Sequence, residues 1–229
     1  MNSVVQDKNY KIIVVGDAKV GKTSILEQYC YNKFDINERV TIGTDVRTKR
    51  IQEQNRGSTI VLSFWDIAGQ ERYQSISKIF IKDTSGCLVV TDITDRKSLE
   101  NSLKWKEVIE ENLNENVPII LVQNKIDLIN GKDSHQLEDF QKEENFKQFY
   151  QENNFTQGFR ISAQYKTNFN TVFDELIKFI KMRQNKNNVL SSTMTQSYQE
   201  SMISQNSTYQ ISRNPKRKNQ NKGKESKCC

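Results

Sequence analysis

The chain has 229 residues, 35% of them apolar, with 34 Lys and Arg against 28 Asp and Glu and a formal net charge of +6. No run approaches the ~18 consecutive apolar residues of a membrane-spanning helix, which excludes a multi-span membrane protein; 2 Pro and 9 Gly exclude collagen-like and Pro-rich architectures. At roughly 150 residues per domain, the length predicts one large domain, or one domain with an appendage.

Apolar runs and helical patterns alternate along most of the chain. Compact, mostly β-branched runs predict buried strands at 11–15, 60–65, 87–90 and 119–122, and weaker runs add 45–53 and 159–161. Helical spacing of apolar residues predicts helices at 22–31, 98–112, 137–153 and 168–183. The alternation predicts an α/β fold with a mostly parallel sheet covered on both faces. Its ligand site is expected at the carboxyl ends of the strands.

A phosphate-binding pattern follows the first predicted strand. Residues 16–23 read Gly-Asp-Ala-Lys-Val-Gly-Lys-Thr, which matches G-x-x-x-x-G-K-[ST] between a strand and a helix. Glycines let backbone N–H groups turn toward phosphate oxygens, and the helix N-terminus adds positive potential. Lys22 is expected to reach the β- and γ-phosphates, and the Thr23 hydroxyl is expected to ligate Mg²⁺. The pattern predicts a nucleoside triphosphate but does not name the base.

Two later segments predict that the base is guanine. Residues 124–127 are Asn-Lys-Ile-Asp at the end of a predicted strand. The Asp127 carboxylate can accept hydrogen bonds from N1–H and the 2-amino group of guanine, and adenine offers neither donor. Residues 161–164 are Ile-Ser-Ala-Gln after the last predicted strand, where backbone N–H groups can meet the guanine carbonyl.

Residues able to detect a γ-phosphate lie between these motifs. Residues 65–71 read Trp-Asp-Ile-Ala-Gly-Gln-Glu. Asp66 can hold a Mg²⁺ water, the Gly69 N–H can contact the γ-phosphate, and Gln70 can orient an attacking water. Thr41, 19 residues after Lys22, can add a second hydroxyl to Mg²⁺ when the γ-phosphate is present.

Two cysteines and both ends of the chain indicate the cellular compartment and the extent of the folded part. Cys30 and Cys87 lie in apolar surroundings, and we expect buried free thiols in a reducing compartment. We expect no secretory signal, because residues 1–8 lack an apolar run, and no N-myristoylation, because residue 2 is Asn. In residues 184–229, 21 of 46 are Asn, Gln or Ser, which predicts disorder.

The net positive charge is carried by residues 213–229, because residues 1–183 and residues 184–212 each contain equal numbers of basic and acidic residues. A basic tail on a neutral body indicates an anionic surface as its partner. A solvated tail or a nucleic-acid arm is the alternative, and the latter is disfavoured because no stacking aromatic residues lie near the run.

The order of these motifs resembles that of the Ras superfamily of small GTPases. IGTD at 42–45, WDIAGQER at 65–72 and the final Cys-Cys pair are similar to the Rab family within it. The resemblance covers about 10–183 and the last two residues. It implies a P-loop NTPase small G-domain, with a six-stranded, mostly parallel sheet flanked by about five helices. It also implies a flexible N-terminus (1–9), a GTPase domain (10–183) and a disordered hypervariable tail with a prenylated C-terminus (184–229).

The resemblance further implies a role for each site residue. Gln70, Lys22 and Thr41 would act in hydrolysis, and Thr23, Thr41 and Asp66 would form the Mg²⁺ site. Cys228 and Cys229 would carry geranylgeranyl groups. Residues around 33–46 and 66–82 would be the two switches. The residues expected to bind GTP or GDP are Gly16, Asp17, Ala18, Lys19, Val20, Gly21, Lys22, Thr23, Ser24, Phe34, Thr41, Gly69, Asn124, Lys125, Asp127, Ser162, Ala163 and Gln164.

The function implied is a slow GTPase switch that recruits effectors to membranes in vesicle trafficking. Its expected partners are effectors, an exchange factor, a GTPase-activating protein, a GDP-dissociation inhibitor and a prenylation escort, with no nucleic acid. Its expected location is the cytoplasmic face of an endomembrane, with a cytosolic pool. The alternatives are a non-catalytic nucleotide-binding adaptor and a P-loop ATPase or kinase.

Several residues depart from the family pattern. Lys19 stands where Rabs usually have Gly or Ala, and Gln164 stands where they have Lys. Val46, Ile67 and the pair Ile79-Phe80 also differ, and we expect them to alter the effector-facing surface. Partners therefore cannot be transferred from any one family member.

Overall fold

Six strands and five helices alternate along the described residues of the computed structural model, which are 7–36, 41, 43–53, 57–68, 78–113 and 116–189. The strands are β1 (Lys8–Val15), β2 (Thr44–Gln52), β3 (Thr59–Ile67), β4 (Gly86–Asp92), β5 (Ile119–Asn124) and β6 (Gln157–Arg160). The helices are α1 (Lys22–Tyr31), α2 (Lys78–Ile81), α3 (Arg96–Asn112), α4 (Glu143–Glu152) and α5 over 169–189.

The strands form one sheet in the order β2-β3-β1-β4-β5-β6. The β2–β3 pair is antiparallel, and the other four neighbouring pairs are parallel. The carboxyl ends of the five parallel strands therefore lie at one edge of the sheet. This confirms the predicted six-stranded, mostly parallel α/β sheet flanked by about five helices.

Alternate residues of the central strands fill two separate apolar layers. In β1, Ile12 and Val14 pack in the layer that contains residues of α1 and α5, whereas Ile13 and Val15 pack in the layer of α3 and α4. All four are fully buried. Because both faces of the strand are covered, its sequence is a continuous β-branched run rather than an alternation of apolar and polar residues.

Two helices begin later than the sequence pattern predicts. Helix α4 was expected from residue 137 but begins at Glu143. Before it, single turns of 3-10 helix at Ser134–Gln136 and Asp139–Gln141 are closed by glutamine side chains that accept from backbone N–H groups at 2.9 and 3.1 Å. These local bonds compete with a continuous helix. Helix α5 begins after Asn168, whose φ of 55° is left-handed.

Other elements also differ from the predicted ranges. Helix α3 begins at Arg96 rather than 98, because the Asp95 carboxylate accepts from the Lys97 N–H at 3.0 Å and caps it. Strand β6 ends at Arg160, one residue before the predicted end, and α2 was not predicted. Lys8 and Asn9, expected in a flexible N-terminus, lie in β1 and pair with Ile60 and Val61.

Both described cysteines are free, but only Cys87 is buried; Cys30, expected to be buried as well, is half-buried. Within the described ranges, no helix has the length and apolarity needed to cross a bilayer. Of the second compact unit, Gln184–Cys229, the described residues 184–189 are helical, although the sequence analysis predicted disorder from residue 184 onward. Cys228, Cys229 and the rest of the predicted tail lie outside the described residues.

Candidate functional site

The loop between β1 and α1 has a backbone that favours glycine at two positions. Gly16 has a φ of 139°, and a Cβ there would lie 2.2 Å from the Val90 carbonyl oxygen. Gly21 has a φ of 95°, and a Cβ there would lie 2.4 Å from the Asn124 amide nitrogen. The glycines let the loop pack directly against β4 and β5. In the same loop Lys19 has a φ of 66°, which lies in the left-handed region. Glycine adopts this region freely, whereas a residue with a Cβ such as lysine does so at an energetic cost.

Lys22 lies beneath this loop with its ammonium group almost enclosed. Its Nζ donates to the carbonyl oxygens of Gly16 and Asp17, both at 2.9 Å, and the residue is 5% exposed. Burial lowers the pKa of Lys22 to about 8, while the charges of Asp66 and Asp17 oppose that shift. The loop therefore holds a positive charge in a place from which water is largely excluded.

Three oxygen-bearing side chains meet beside Lys22. The hydroxyl oxygens of Thr23 and Thr41 lie 2.6 Å apart, and the Thr23 hydroxyl donates to Asp66 Oδ2 at 2.6 Å. Asp66 is fully buried, and its Oδ1 has no hydrogen-bond partner in the described part of the chain. Burial raises the pKa of Asp66, whereas the Thr23 hydrogen bond and the charges of Lys22 and Arg47 lower it.

Asn124 connects three loops at the other end of the site. Its amide nitrogen donates to the Val20 carbonyl oxygen at 3.0 Å, and its amide oxygen accepts from the Ala163 N–H at 3.1 Å. The Ser162 hydroxyl donates to Asp127 Oδ1 at 2.5 Å. These bonds hold residues 124–127 and 162–163 in fixed positions relative to the phosphate loop.

Lys125 is held between the same loops. Its Nζ donates to the Lys19 carbonyl oxygen at 2.8 Å and forms an ion pair with Asp92 Oδ2 at 2.6 Å. Lys125 also has a left-handed φ of 66°. Its ammonium group therefore connects the phosphate loop to the end of β4.

A cavity of about 410 Å³ lies between these groups, and most predicted binding residues line it. The predicted residues in its wall are Ala18, Lys19, Gly21, Lys22, Thr23, Ser24, Phe34, Thr41, Asn124, Lys125, Asp127, Ala163 and Gln164. Outside that wall are Gly16, Asp17, Val20, Ser162 and Asp66. Gly69 and Gln70 lie outside the described residues.

The wall also contains Asp35, Ile36 and Leu128, which the sequence analysis missed. Their positions in the chain could have indicated them, because Asp35 and Ile36 follow the predicted residue Phe34 and Leu128 follows Asp127. Of the residues that depart from the family pattern, Val46 and Ile79 are well exposed, but Ile67 is 1% exposed. The expectation that Ile67 alters the outer surface was therefore wrong, because its side chain packs in the core.

Comparison with known proteins shows the family of the chain. The model of the Ras family matches residues 11–182. The chain belongs to the Ras family. It is 35% identical to Ras-related protein Rab-11B of Dictyostelium discoideum, over 83% of this chain and 82% of that protein. It is 33% identical to human Ras-related protein Rab-7L1, over 83% and 91%, and 36% identical to Ras-related protein RabC of Dictyostelium discoideum, over 75% and 84%.

The relatives make this Ras-family chain a Rab-like small GTPase. As a member of this family it binds guanine nucleotide and hydrolyses GTP. Within the described residues, no group of three or more His, Cys, Asp or Glu side chains is arranged so that it could hold a metal ion. A metal ion in this part of the chain would therefore depend on hydroxyl and phosphate oxygens as well as on a carboxylate.

Proposed function

We propose that this GTPase is a Rab-type switch whose nucleotide occupies the 410 Å³ cavity, with Mg²⁺ held by the two threonine hydroxyls beside Asp66. The observation that carries the proposal is the meeting of Thr23, Thr41 and Asp66 within hydrogen-bond distance. The three residues come from α1, the loop before β2 and the end of β3. A binding site, rather than local chain geometry, accounts for their convergence.

The donor set fits Mg²⁺. Two hydroxyls and one carboxylate are hard oxygen groups of the kind that this ion binds together with phosphate oxygens. Thr23 and Thr41 would ligate the ion, and the unpaired Asp66 Oδ1 would accept from one of its waters. When bound, the ion would supply positive charge at the phosphate oxygens.

Hydrolysis in this proposal depends on position and charge rather than on a covalent intermediate. Lys22 would bind the β- and γ-phosphates from beneath the loop, Thr41 would help to position the γ-phosphate, and Gln70 would orient the attacking water. By analogy with Ras, unaided turnover would be of order 10⁻⁴ s⁻¹, and a partner's arginine would raise it by ~10⁵-fold.

Guanine recognition would depend on Asp127, supported by Asn124. The Ser162 hydrogen bond fixes the orientation of the Asp127 carboxylate, so that its oxygens can accept from N1–H and the 2-amino group. Backbone N–H groups near Ala163 and Gln164 would meet the guanine carbonyl, and Phe34 would lie edge-on against the base. An ATPase or kinase would require a different hydrogen-bonding pattern here.

The switch would lie in the contacts of Thr41 and Gly69 with the γ-phosphate. Loss of this phosphate would release the segments around 33–46 and 66–82, and partners would read the difference. These partners are effectors, an exchange factor and a GTPase-activating protein. The Rab names of the relatives favour vesicle trafficking as the process.

We also propose that residues 10–183 form the GTPase domain and that residues 184–229 are its membrane tail. Cys228 and Cys229 would carry two geranylgeranyl groups, because two chains give stable anchoring where one does not. The basic residues of 213–229 would add attraction to an anionic leaflet. A GDP-dissociation inhibitor and a prenylation escort would bind the lipids. The location would be an endomembrane with a cytosolic pool.

Turnover of GTP by the wild type and by Gln70→Leu tests the catalytic proposal. We expect slow turnover in the wild type and a further loss of at least tenfold in Gln70→Leu; equal rates would favour the non-catalytic adaptor. Displacement of bound fluorescent GDP by unlabelled ATP or by unlabelled GTP tests which base the site prefers. Displacement by ATP at similar concentrations would favour the ATPase or kinase.

The tail is tested by locating the tagged protein in cells with and without residues 228–229. We expect the shortened chain to lose its membrane fraction. Retention on the same membrane would contradict the lipid-anchor proposal and would leave the nucleotide site untouched.

A further inference from the structure

Arg47 is a buried arginine that contacts three carboxylates next to the proposed metal site. Its Nε donates to Glu27 Oε1 at 2.7 Å, Nη2 lies 3.2 Å from Asp45 Oδ2, and Nη1 lies 3.3 Å from Asp66 Oδ2. The residue is 8% exposed. It lies on β2, the strand that follows Thr41, and it bridges α1 to the end of β3.

Asp66 needs a positive charge even without a metal, because an ionised carboxylate that is fully buried is strongly destabilised unless it is paired. The Lys22 ammonium is bonded to backbone carbonyls of the phosphate loop instead. Among the described residues, Arg47 is the one that forms an ion pair with Asp66. The guanidinium therefore holds the carboxylate in the arrangement seen here.

We propose that Arg47 is an internal counter-cation that stands in for Mg²⁺ at Asp66, and that it thereby raises the Mg²⁺ concentration needed to retain GDP. The inference rests on the proposed metal site of Thr23, Thr41 and Asp66. An arginine already beside this carboxylate repels a second cation, and it stabilises the carboxylate once that cation has left. Both effects favour the metal-free state, through which nucleotide escapes.

Glu27 and Asp45 partly neutralise the Arg47 charge and so determine how strongly that charge acts on Asp66. Glu27 makes the shortest of the three contacts and is partly buried, whereas the Asp45 side chain is 58% exposed and its charge is screened by water. Removing the Glu27 charge should therefore strengthen the effect of Arg47, and removing Arg47 should abolish it. The two changes should act in opposite directions.

The experiment measures the release of fluorescent GDP from the full chain into excess unlabelled GDP, across a series of Mg²⁺ concentrations. The readout is the Mg²⁺ concentration that halves the release rate, and it requires no hydrolysis. We expect Arg47→Met to lower this concentration by about tenfold and Glu27→Gln to raise it severalfold. Arg47→Lys, which keeps the charge, should stay near the wild type. Arg50→Met, an exposed arginine on the same strand, is the matched control and should change nothing.

Two outcomes separate this inference from the proposed function. If the release from the wild type does not depend on Mg²⁺, the metal site is wrong and the inference falls with it. If the wild type responds to Mg²⁺ but Arg47→Met is unchanged or needs more Mg²⁺, the inference alone is overturned. Should Arg47→Met fail to fold, Glu27→Gln becomes the test. The inference is overturned if the Mg²⁺ concentration that halves the release rate is unchanged or lower in Glu27→Gln than in the wild type.

Discussion

The Trp105 indole N–H donates to Asp17 Oδ1 at 2.9 Å, although 88 positions separate the two residues in the chain. The Asn101 amide donates to the other carboxylate oxygen at 2.7 Å. Both oxygens of this phosphate-loop carboxylate are thus held by helix α3, and the Asp17 carbonyl accepts from Lys22. Helix α3 therefore helps to set the position of the loop and of the lysine beneath it.

Replacing the indole should loosen the phosphate loop. We expect Trp105→Phe to lower the free energy of unfolding by about 1–3 kcal/mol, because the buried indole is replaced by a smaller ring and Asp17 Oδ1 loses the hydrogen bond from the indole N–H. GDP release should also become faster. Denaturant titration and GDP-release kinetics measure the two effects.

A double-mutant cycle that combines Trp105→Phe with Asp17→Ala shows whether the destabilisation by Trp105→Phe comes from the lost hydrogen bond or from lost packing. We expect a coupling free energy of at least ~0.5 kcal/mol between Trp105 and Asp17. Simple additivity of the two single changes would show that the hydrogen bond contributes nothing and that the cost of Trp105→Phe is only lost packing.

Two glycines with left-handed backbones allow steric clash to be separated from strain. Gly16→Ala places a methyl group 2.2 Å from the Val90 carbonyl oxygen, whereas Gly131→Ala, with a φ of 82°, meets nothing within 4 Å. We expect Gly131→Ala to cost about 1 kcal/mol and Gly16→Ala to cost several times more, with loss of GDP binding. Equal melting temperatures of the two variants would contradict the packing of the loop against β4.

Loss of the Asp127 carboxylate should reduce the preference for guanine. A site that hydrogen-bonds a donor rejects an analogue without it by ~10⁴-fold or more, so we expect Asp127→Ala to lower the ratio of GTP to ATP affinity by at least ~100-fold. Asp174→Ala, an exposed carboxylate on α5, is the control. A ratio that survives in Asp127→Ala would mean that backbone groups read the base.

Cys30 should react with thiol reagents slowly and in a pH-dependent way. Burial raises the pKa of Cys30 to about 11, so the reactive thiolate is about 10⁻³ of the total at pH 8. With Cys228 and Cys229 replaced by Ser, we expect the labelling rate to rise about tenfold per pH unit between pH 7.5 and 9.5. The Cys30→Ser variant should lose this reaction, and a rate that levels off below pH 9 would contradict the raised pKa.

The sequence predicted the elements whose signals are local. The β-branched runs located the buried strands, and the glycine pattern at 16–23 located the loop, since few residue types satisfy its backbone. It failed for residues 137–142, because the apolar spacing there is helical but the Gln141 side chain accepts from the Glu138 N–H. The observed start of α4 depends on that competition, which periodicity does not register.

The sequence alone was enough to identify the motifs, their order along the chain and, through them, the family and the class of nucleotide. Which side chains meet became visible only in the folded chain, where Thr23 contacts Thr41, Trp105 contacts Asp17 and Arg47 contacts Asp66. These contacts join helices, loops and strands that are separated by 18 to 88 positions in the chain. The distances within each pair depend on packing and charge across the fold. The sequence around either residue does not contain this information.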